Sequence, residues 1–267
     1  MKRAIKILIT VAVVAALLTA LASCNSKNNK LVCGVTVFDP MNYRDANNNW
    51  TGFDTEFALL VGEKLGMEVE FQMIEWSNKF VELNSGAITC IWNGFTANAN
   101  EEDGTPRIDL CDMTYSYMLN QQCVVIKTDR AGEFTSIGSL VGKSAAVESG
   151  SAGESTAKEL VGDSGSTFGA AAQINTFLEV KSGAVDCAIV DILLAQRIAG
   201  SGDYTDLTIA NIELDAEVYA VGLKTGSNLT ARINQAMKEL YDAGTLATLA
   251  EKYGLENTLV LDTSFGG

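Results

Sequence analysis

The sequence predicts an α/β protein built as two lobes, on three observations. Short apolar runs alternate with amphipathic segments along nearly the whole chain. The apolar runs fall into two groups, near residues 31–92 and 143–190, and residues 228–253 form two amphipathic helices broken at Ala243-Gly244. Repeated strand–helix units predict mostly parallel sheets covered by helices, and two groups of strands predict two sheets.

Each element follows from its local pattern. Residues 31–37 are apolar enough for a buried strand. Asp54 stands where it can cap a helix through Leu65, with Phe57, Leu60, Val61 and Leu65 on one face and Gly66 ending it. Met67, Val69, Phe71 and Met73 alternate with Glu68, Glu70 and Gln72, the period of a half-buried strand. A short helix with Phe80 and Leu83 inward stops at Ser85-Gly86, and a strand follows at 88–92. Further on come strands at 123–126 and 143–147, helices at 151–160 and 175–181, and a strand at 185–190. The closing helices present Leu229, Ile233, Met237 and Leu240, then Leu246, Leu249 and Tyr253.

The amino terminus has a separate logic. Lys2, Arg3 and Lys6 precede an apolar run over residues 7–21, and Leu21-Ala22-Ser23-Cys24 follows directly. That order reads as a lipoprotein signal peptide, residues 1–23, with Cys24 as the lipidated first residue of the mature chain. The apolar run is shorter than the roughly 20 residues a membrane-spanning helix needs. A diacylated cysteine supplies the two hydrophobic signals that stable anchoring requires. Residues 24–30 are polar and read as a flexible tether. The expected location is therefore extracytoplasmic, anchored by lipid to the cell membrane.

Composition narrows the function further. The chain carries 19 Lys and Arg against 33 Asp and Glu, a net charge of −14. Removing residues 1–23 takes away three positive charges and no acid, leaving −17. Such a surface argues against nucleic acid and against docking on anionic lipid. There is no histidine, which removes the commonest general base and metal ligand. Beyond Cys24, the cysteines are Cys33, Cys90, Cys111, Cys123 and Cys187, an odd set without CxxC spacing, most of them in apolar runs. They read as buried thiols acting as small hydrophobes, though one disulfide is compatible with the compartment.

Residues 31–43, then Gly52-Phe53-Asp54, then 86–96 carry a resemblance that continues through 117–125, 147–152, 185–191, 219–226 and 242–254. In this order, across nearly all of the mature chain, they resemble the amino-acid-binding proteins of ABC transporters, the polar amino acid group of the extracellular solute-binding proteins. The resemblance implies the type II periplasmic-binding-protein fold: two lobes joined by two crossing strands that close on a ligand. It places the hinges near 117–120 and 215–219, the first lobe at 31–118 and 219–267, and the second at 119–218. It implies an amino acid ligand, ABC permease subunits as partners, no cofactor and no catalysis. A monomer is expected.

A free amino acid carries a carboxylate and an ammonium, both costly to desolvate unless paired. Gly150-Ser151-Ala152 opens an amphipathic helix and offers N–H groups and a hydroxyl at its positive end, a cradle for a carboxylate. Ser151 also suits a plain helix cap. Asp191 ends an apolar strand, where an acid faces the crevice of an open α/β sheet, or caps the next helix. The resemblance makes Asp191 the partner of the ammonium. It likewise brings Thr96 and the backbone of Asn93 and Gly94 to the ligand from the first lobe, and makes Phe38 and Trp76 walls for its side chain, positions that core packing also explains. Asp54 reads as structural.

One departure stands out. Most relatives place an arginine four or five residues after the threonine that matches Thr96, as a clamp on the ligand carboxylate. Here those positions are Asn100 and Glu101, an insertion follows over 102–106, and the nearby arginine is Arg107. Either the longer loop delivers Arg107 into the cleft, or the protein binds without that clamp. Glu148 adds acidity where close relatives can carry lysine. Such a pocket favours a ligand with an extra positive charge or without a free carboxylate, so amines, cystine and small peptides are alternatives. A lyase, hydrolase or sensor on the same fold is a more distant one. Glu101, Glu102 and Asp103 lack the alternation of a calcium loop and read as a solvated turn, so no metal is expected.

Overall fold

The computed structural model describes residues 29–264. The signal peptide, Cys24, most of the tether and the last three residues lie outside the described residues. The first sheet takes β1 (Lys30–Val35), β4 (Glu68–Met73), β5 (Cys90–Ile91), β6 (Asp112–Met113) and β13 (Gly222–Leu223), in the order β4-β1-β5-β13-β6. The second takes β7 (Ser116–Lys127), β8 (Ser144–Glu148), β9 (Ser166–Ala170), β10 (Cys187–Asp191) and β11 (Leu207–Ile209), in the order β11-β7-β10-β8-β9. A small ribbon pairs β2 (Tyr43–Arg44) with β3 (Trp50–Thr51). The helices are α1 (Phe53–Leu65), α2 (Lys79–Ser85), α3 (Ala152–Val161), α4 (Gln173–Ser182), α5 (Ile192–Ile198), α6 (Leu229–Asp242) and α7 (Thr245–Tyr253).

Two lobes result, and their joint is visible in the pairing. β1 runs parallel to β4 and β5, and β10 parallel to β8, which is parallel to β9. The long strand β7 belongs to the second sheet at one end. At its other end it pairs antiparallel with β12 (Ala216–Tyr219) and β14 (Leu259–Asp262). The antiparallel pair β7 and β12 carries the chain between lobes, with Glu217 opposite Asn120 and Tyr219 opposite Met118.

Packing explains why the amphipathic segments settle as helices. α1 lays Phe57, Ala58 and Val61, all buried, against the first sheet, and packs on α6 and α7 through Ile233, Met237, Leu240, Leu246 and Leu249. Phe57 meets Trp92 and Tyr117 edge-on, at 5.2 and 5.4 Å between ring centroids, the arrangement aromatic quadrupoles favour. The five cysteines among the described residues are buried and free, and burial pushes the Cys111 and Cys187 thiols up to about 12, which leaves them inert.

Two local expectations need correction. Asp54 does not cap α1: Gly52 is the N-cap residue, and the carboxylate of Asp54, fully buried in the first turn, accepts the N–H of Gly94 at 2.6 Å. The helix begins two residues earlier than expected, which turns Asp54 inward to brace the loop after β5. Burial raises its carboxyl to about 7, against the pull of that N–H. Glu101 is not a solvated turn residue either. Its carboxylate is only 20% exposed and bridges Lys79 and Arg107, whereas Glu102 is exposed, as expected.

Candidate functional site

The carboxyl ends of β5, β8 and β10 meet where the lobes face each other, the crevice in which open α/β sheets bind ligands. Phe38, Trp76, Asn93, Gly94, Thr96 and Arg107 from the first lobe, and Glu148, Ser151, Ala152, Gln173 and Asp191 from the second, wall one small cavity with only about 10 Å³ of free space. Ten of these are the positions singled out above. Gln173 is the addition.

Asp191 is the best-connected of them. It occupies the N-cap position of α5 but makes no side-chain cap. Instead Oδ1 accepts from Tyr219 Oη at 2.7 Å, from Gln122 Nε2 at 3.2 Å and from Asn120 Nδ2, while Oδ2 accepts from Gln173 Nε2. Gln173 also accepts the backbone N–H of Asp191 at 2.8 Å, which locks both residues in place. Burial raises the carboxyl, and these donors hold it down. The amides of Asn120 and Gln122 reach a second acid, Glu217, at 2.7 and 2.9 Å, and Thr96 donates to it at 3.2 Å. Burial and the nearby charge of Asp191 bring Glu217 to about 7.

The opposite wall is cationic. The insertion folds as a turn, with Glu101 N–H on Thr105 O and Gly104 N–H on Glu101 O, and swings Arg107 into the cleft. Arg107 thus lines the cavity. Its guanidinium donates to Glu101 Oε1 at 2.7 Å, to the Thr96 carbonyl at 3.1 Å and to the Gly150 carbonyl at 3.2 Å. Those bonds use three of its five N–H donors. Lys79, fully buried, joins Glu101 at 2.8 Å and the same Gly150 carbonyl at 2.9 Å. Burial and the charge of Arg107 lower its ammonium to about 8. Gly150 belongs to the second lobe, so both cations also latch the lobes together.

At the start of α3, Ser151 does cap its helix, accepting from Glu154 N–H at 3.1 Å, and the Glu154 carboxylate takes the N–H of Gly150 at 2.6 Å. The N–H groups of Ala152 and Gly153 in the first turn have no partner inside the helix. They lie at its positive end, and Ala152 shares the cavity wall with Arg107.

Gly94 shows how tight the apolar wall is. Its φ is +54°, and a Cβ there would stand 2.5 Å from Phe38 Cε1 and 3.1 Å from the Tyr219 ring. The Asn93 side chain is committed to Thr36, accepting its hydroxyl at 2.8 Å, so only its backbone faces the cleft. Phe38 and Trp76 are buried, set edge-on against Tyr219 and Phe95.

Lys79, Glu101, Asn120, Gln122, Gln173 and Glu217 form the support that sequence reasoning missed. Asn120 and Gln122 carry the clearest overlooked signal, being amides on a strand that continues into the apolar run 123–126.

The family described as bacterial extracellular solute-binding proteins, family 3, matches residues 31–256. Among curated relatives, the arginine-binding extracellular protein ArtP of Bacillus subtilis (strain 168) is 28% identical over 251 residues, 90% of this chain and 95% of ArtP. Among solved structures, an ancestral arginine-binding protein bound to arginine superposes with a TM-score of 0.77 at 27% identity, covering 84% of this chain and 98% of that one. The ancestral amino acid-binding protein AncCDT-1, described as a precursor of cyclohexadienyl dehydratase, gives a TM-score of 0.75 at 25% identity, over 85% of this chain and 96% of its own.

Proposed function

The chain belongs to the bacterial extracellular solute-binding proteins of family 3, and from that premise we propose that it captures a free α-amino acid between its lobes and hands it to an ABC permease. The observation that carries this reading is one cavity lined by an acid of one lobe, Asp191, and a cation of the other, Arg107, each held by its own hydrogen bonds. Asp191, aligned by four donors, takes the ligand ammonium. The first turn of α3 and the spare donors of Arg107 take the carboxylate. Phe38 and Trp76 wall the side chain. Residues 31–118 and 219–267 act as the first lobe and 119–218 as the second, flexing about β7 and β12.

Closure is a shift between open and closed populations, driven by a ligand that touches both lobes. No bond need be made or broken, and the protein acts as a receptor, not an enzyme. The relatives support this reading, being described as binding proteins for arginine and for amino acids. Cys24 anchors the receptor by lipid outside the cytoplasmic membrane, as a monomer. Among the described residues no helix is long and apolar enough to cross a membrane.

The test is a thermal-shift screen of the mature protein against the twenty amino acids, ornithine, citrulline, cystine, short peptides and polyamines. A ligand at about a hundred times its Kd stabilises the folded state by roughly 2.7 kcal/mol. Stabilisation by at least one free amino acid, recovered unchanged afterwards, is the expected result. Response to amines or peptides alone, or conversion of the ligand to a product, would contradict the reading.

A further inference from the structure

Glu148 meets the Thr36 hydroxyl and the charges of Lys79 and Arg107 across the cleft, yet one of its two carboxylate oxygens is left over. Its carboxylate ends β8, is 3% exposed, lines the cavity, and leaves Oε1 without a hydrogen-bond partner. A buried, unpaired carboxylate is costly unless something arrives to pair it. Resting on the amino-acid reading above, we infer that Glu148 pairs with a second positive charge on the ligand side chain and gives up a proton to do so.

Charge bookkeeping around the cavity supports this. Glu101, Glu148, Asp191 and Glu217 face only two cations, Lys79 and Arg107, and both cations already contact Glu101. A neutral amino acid adds no net charge to offset the surplus of acid. A cationic one does. The surroundings of the cleft point the same way. Beside it, a groove toward the hinge includes Glu159, Glu213, Asp215 and Glu217 and no Lys or Arg, whereas Glu101, Glu102 and Glu154 on the other side are paired with Lys79, Arg107 and Lys158. The unneutralised groove concentrates cations and slows the approach of anions.

The groups facing Glu148 decide its proton. Asp191 on β10 raises it, while Lys79 on α2 and Arg107 between β5 and β6 lower it, as does the Thr36 hydroxyl. Glu217 and Tyr219 lie behind Asp191 in its hydrogen-bond web. Glu154 on α3 is tied to Lys158 and to Gly150 N–H, β9 carries no charged residue, and α4 presents Gln173 at its near end. Burial outweighs the cations and lifts Glu148 to about 8. At neutral pH the free site therefore holds the acid form. When a ligand cation docks, the carboxyl O–H bond breaks heterolytically, the proton passes to the buffer, and the carboxylate left behind pairs with the ligand. The linkage sign follows: the bound state holds fewer protons, so affinity rises with pH between about 6 and 8 and levels off above the free-site value.

The test is titration calorimetry on the mature protein with arginine, lysine and ornithine, and with citrulline as the neutral counterpart of arginine. Each is run at pH 7 in two buffers of different ionisation enthalpy. Expected are a preference for a cationic ligand, release of close to one proton, and affinity that increases from pH 6 to 8. Glu148→Gln, isosteric and uncharged, should lose roughly 30-fold or more for the cation, as removing one partner of a buried pair does. It should also lose the proton release and bind citrulline at least as well as the parent. Parent binding without proton release, or an E148Q variant that holds the cation as tightly as the parent, would overturn the inference while leaving the receptor reading intact. The first of these needs no variant. A parent that binds no amino acid at all would overturn the receptor reading itself.

Discussion

Asp191→Asn is expected to cut affinity for the amino acid ligand by roughly 100-fold or more, the loss that follows when one partner of a buried charge pair is removed. The replacement keeps size and shape but removes the charge that receives the ammonium. It also presents an amide N–H on one side, where the parent carboxylate accepts from Tyr219, Gln122 and Asn120 on Oδ1 and from Gln173 on Oδ2. Ligand and support are therefore lost together. The fold should survive, because Asp191 sits in the cleft and burial already strains its charged form. Calorimetric titration, together with unfolding curves taken without ligand, separates the two effects. Parent-like affinity in the folded variant would mean that the ammonium is bound elsewhere.

Gly150→Ala should have a comparable effect on binding for a different reason. Gly150 has φ +77°, and a Cβ there would lie 2.7 Å from Ser77 Cα and 3.1 Å from Ser77 N. Those are backbone atoms of the opposite lobe, so the clash is relieved only if the lobes part. The left-handed conformation itself costs roughly 1–2 kcal/mol for an alanine. Gly66→Ala is the matched control, since Gly66 has φ +66° and open space where its Cβ would point. Both variants should lose similar stability without ligand, but only G150A should lose affinity, by roughly 100-fold, and stay extended in small-angle scattering when ligand is added. Closure of G150A to the parent's dimensions would refute a ligand trapped by contact of the two lobes.

What could be read in advance, and what could not, divides along physical lines. Asp191 and Ser151 were legible because each sits at the end of a short, strongly patterned element, where chain geometry aims side chains at the crevice. The amphipathic helices α6 and α7 were legible because their apolar spacing leaves one way to bury Ile233, Met237, Leu246 and Leu249. β9 was not, because Ser-Thr-Phe-Gly-Ala has no alternation and is largely exposed; it exists only by pairing with β8. Lys79 reads as a surface residue beside Phe80, and its burial depends on Glu101, 22 positions away, folding back over it. Asp54 misled for the same reason: its side chain answers to Gly94, 40 positions on, and not to its own helix. Residues whose role is set by neighbours in sequence were foreseen; those set by partners across the lobes needed the structure.

The most direct measurement is a crystal structure of the mature protein with the amino acid that stabilises it most. One molecule is expected in the cleft, its ammonium within hydrogen-bond distance of Asp191 and its carboxylate on the first turn of α3 and Arg107. A ligand seated outside the cleft, with Asp191, Gln173 and Tyr219 still bonded only to one another, would contradict it.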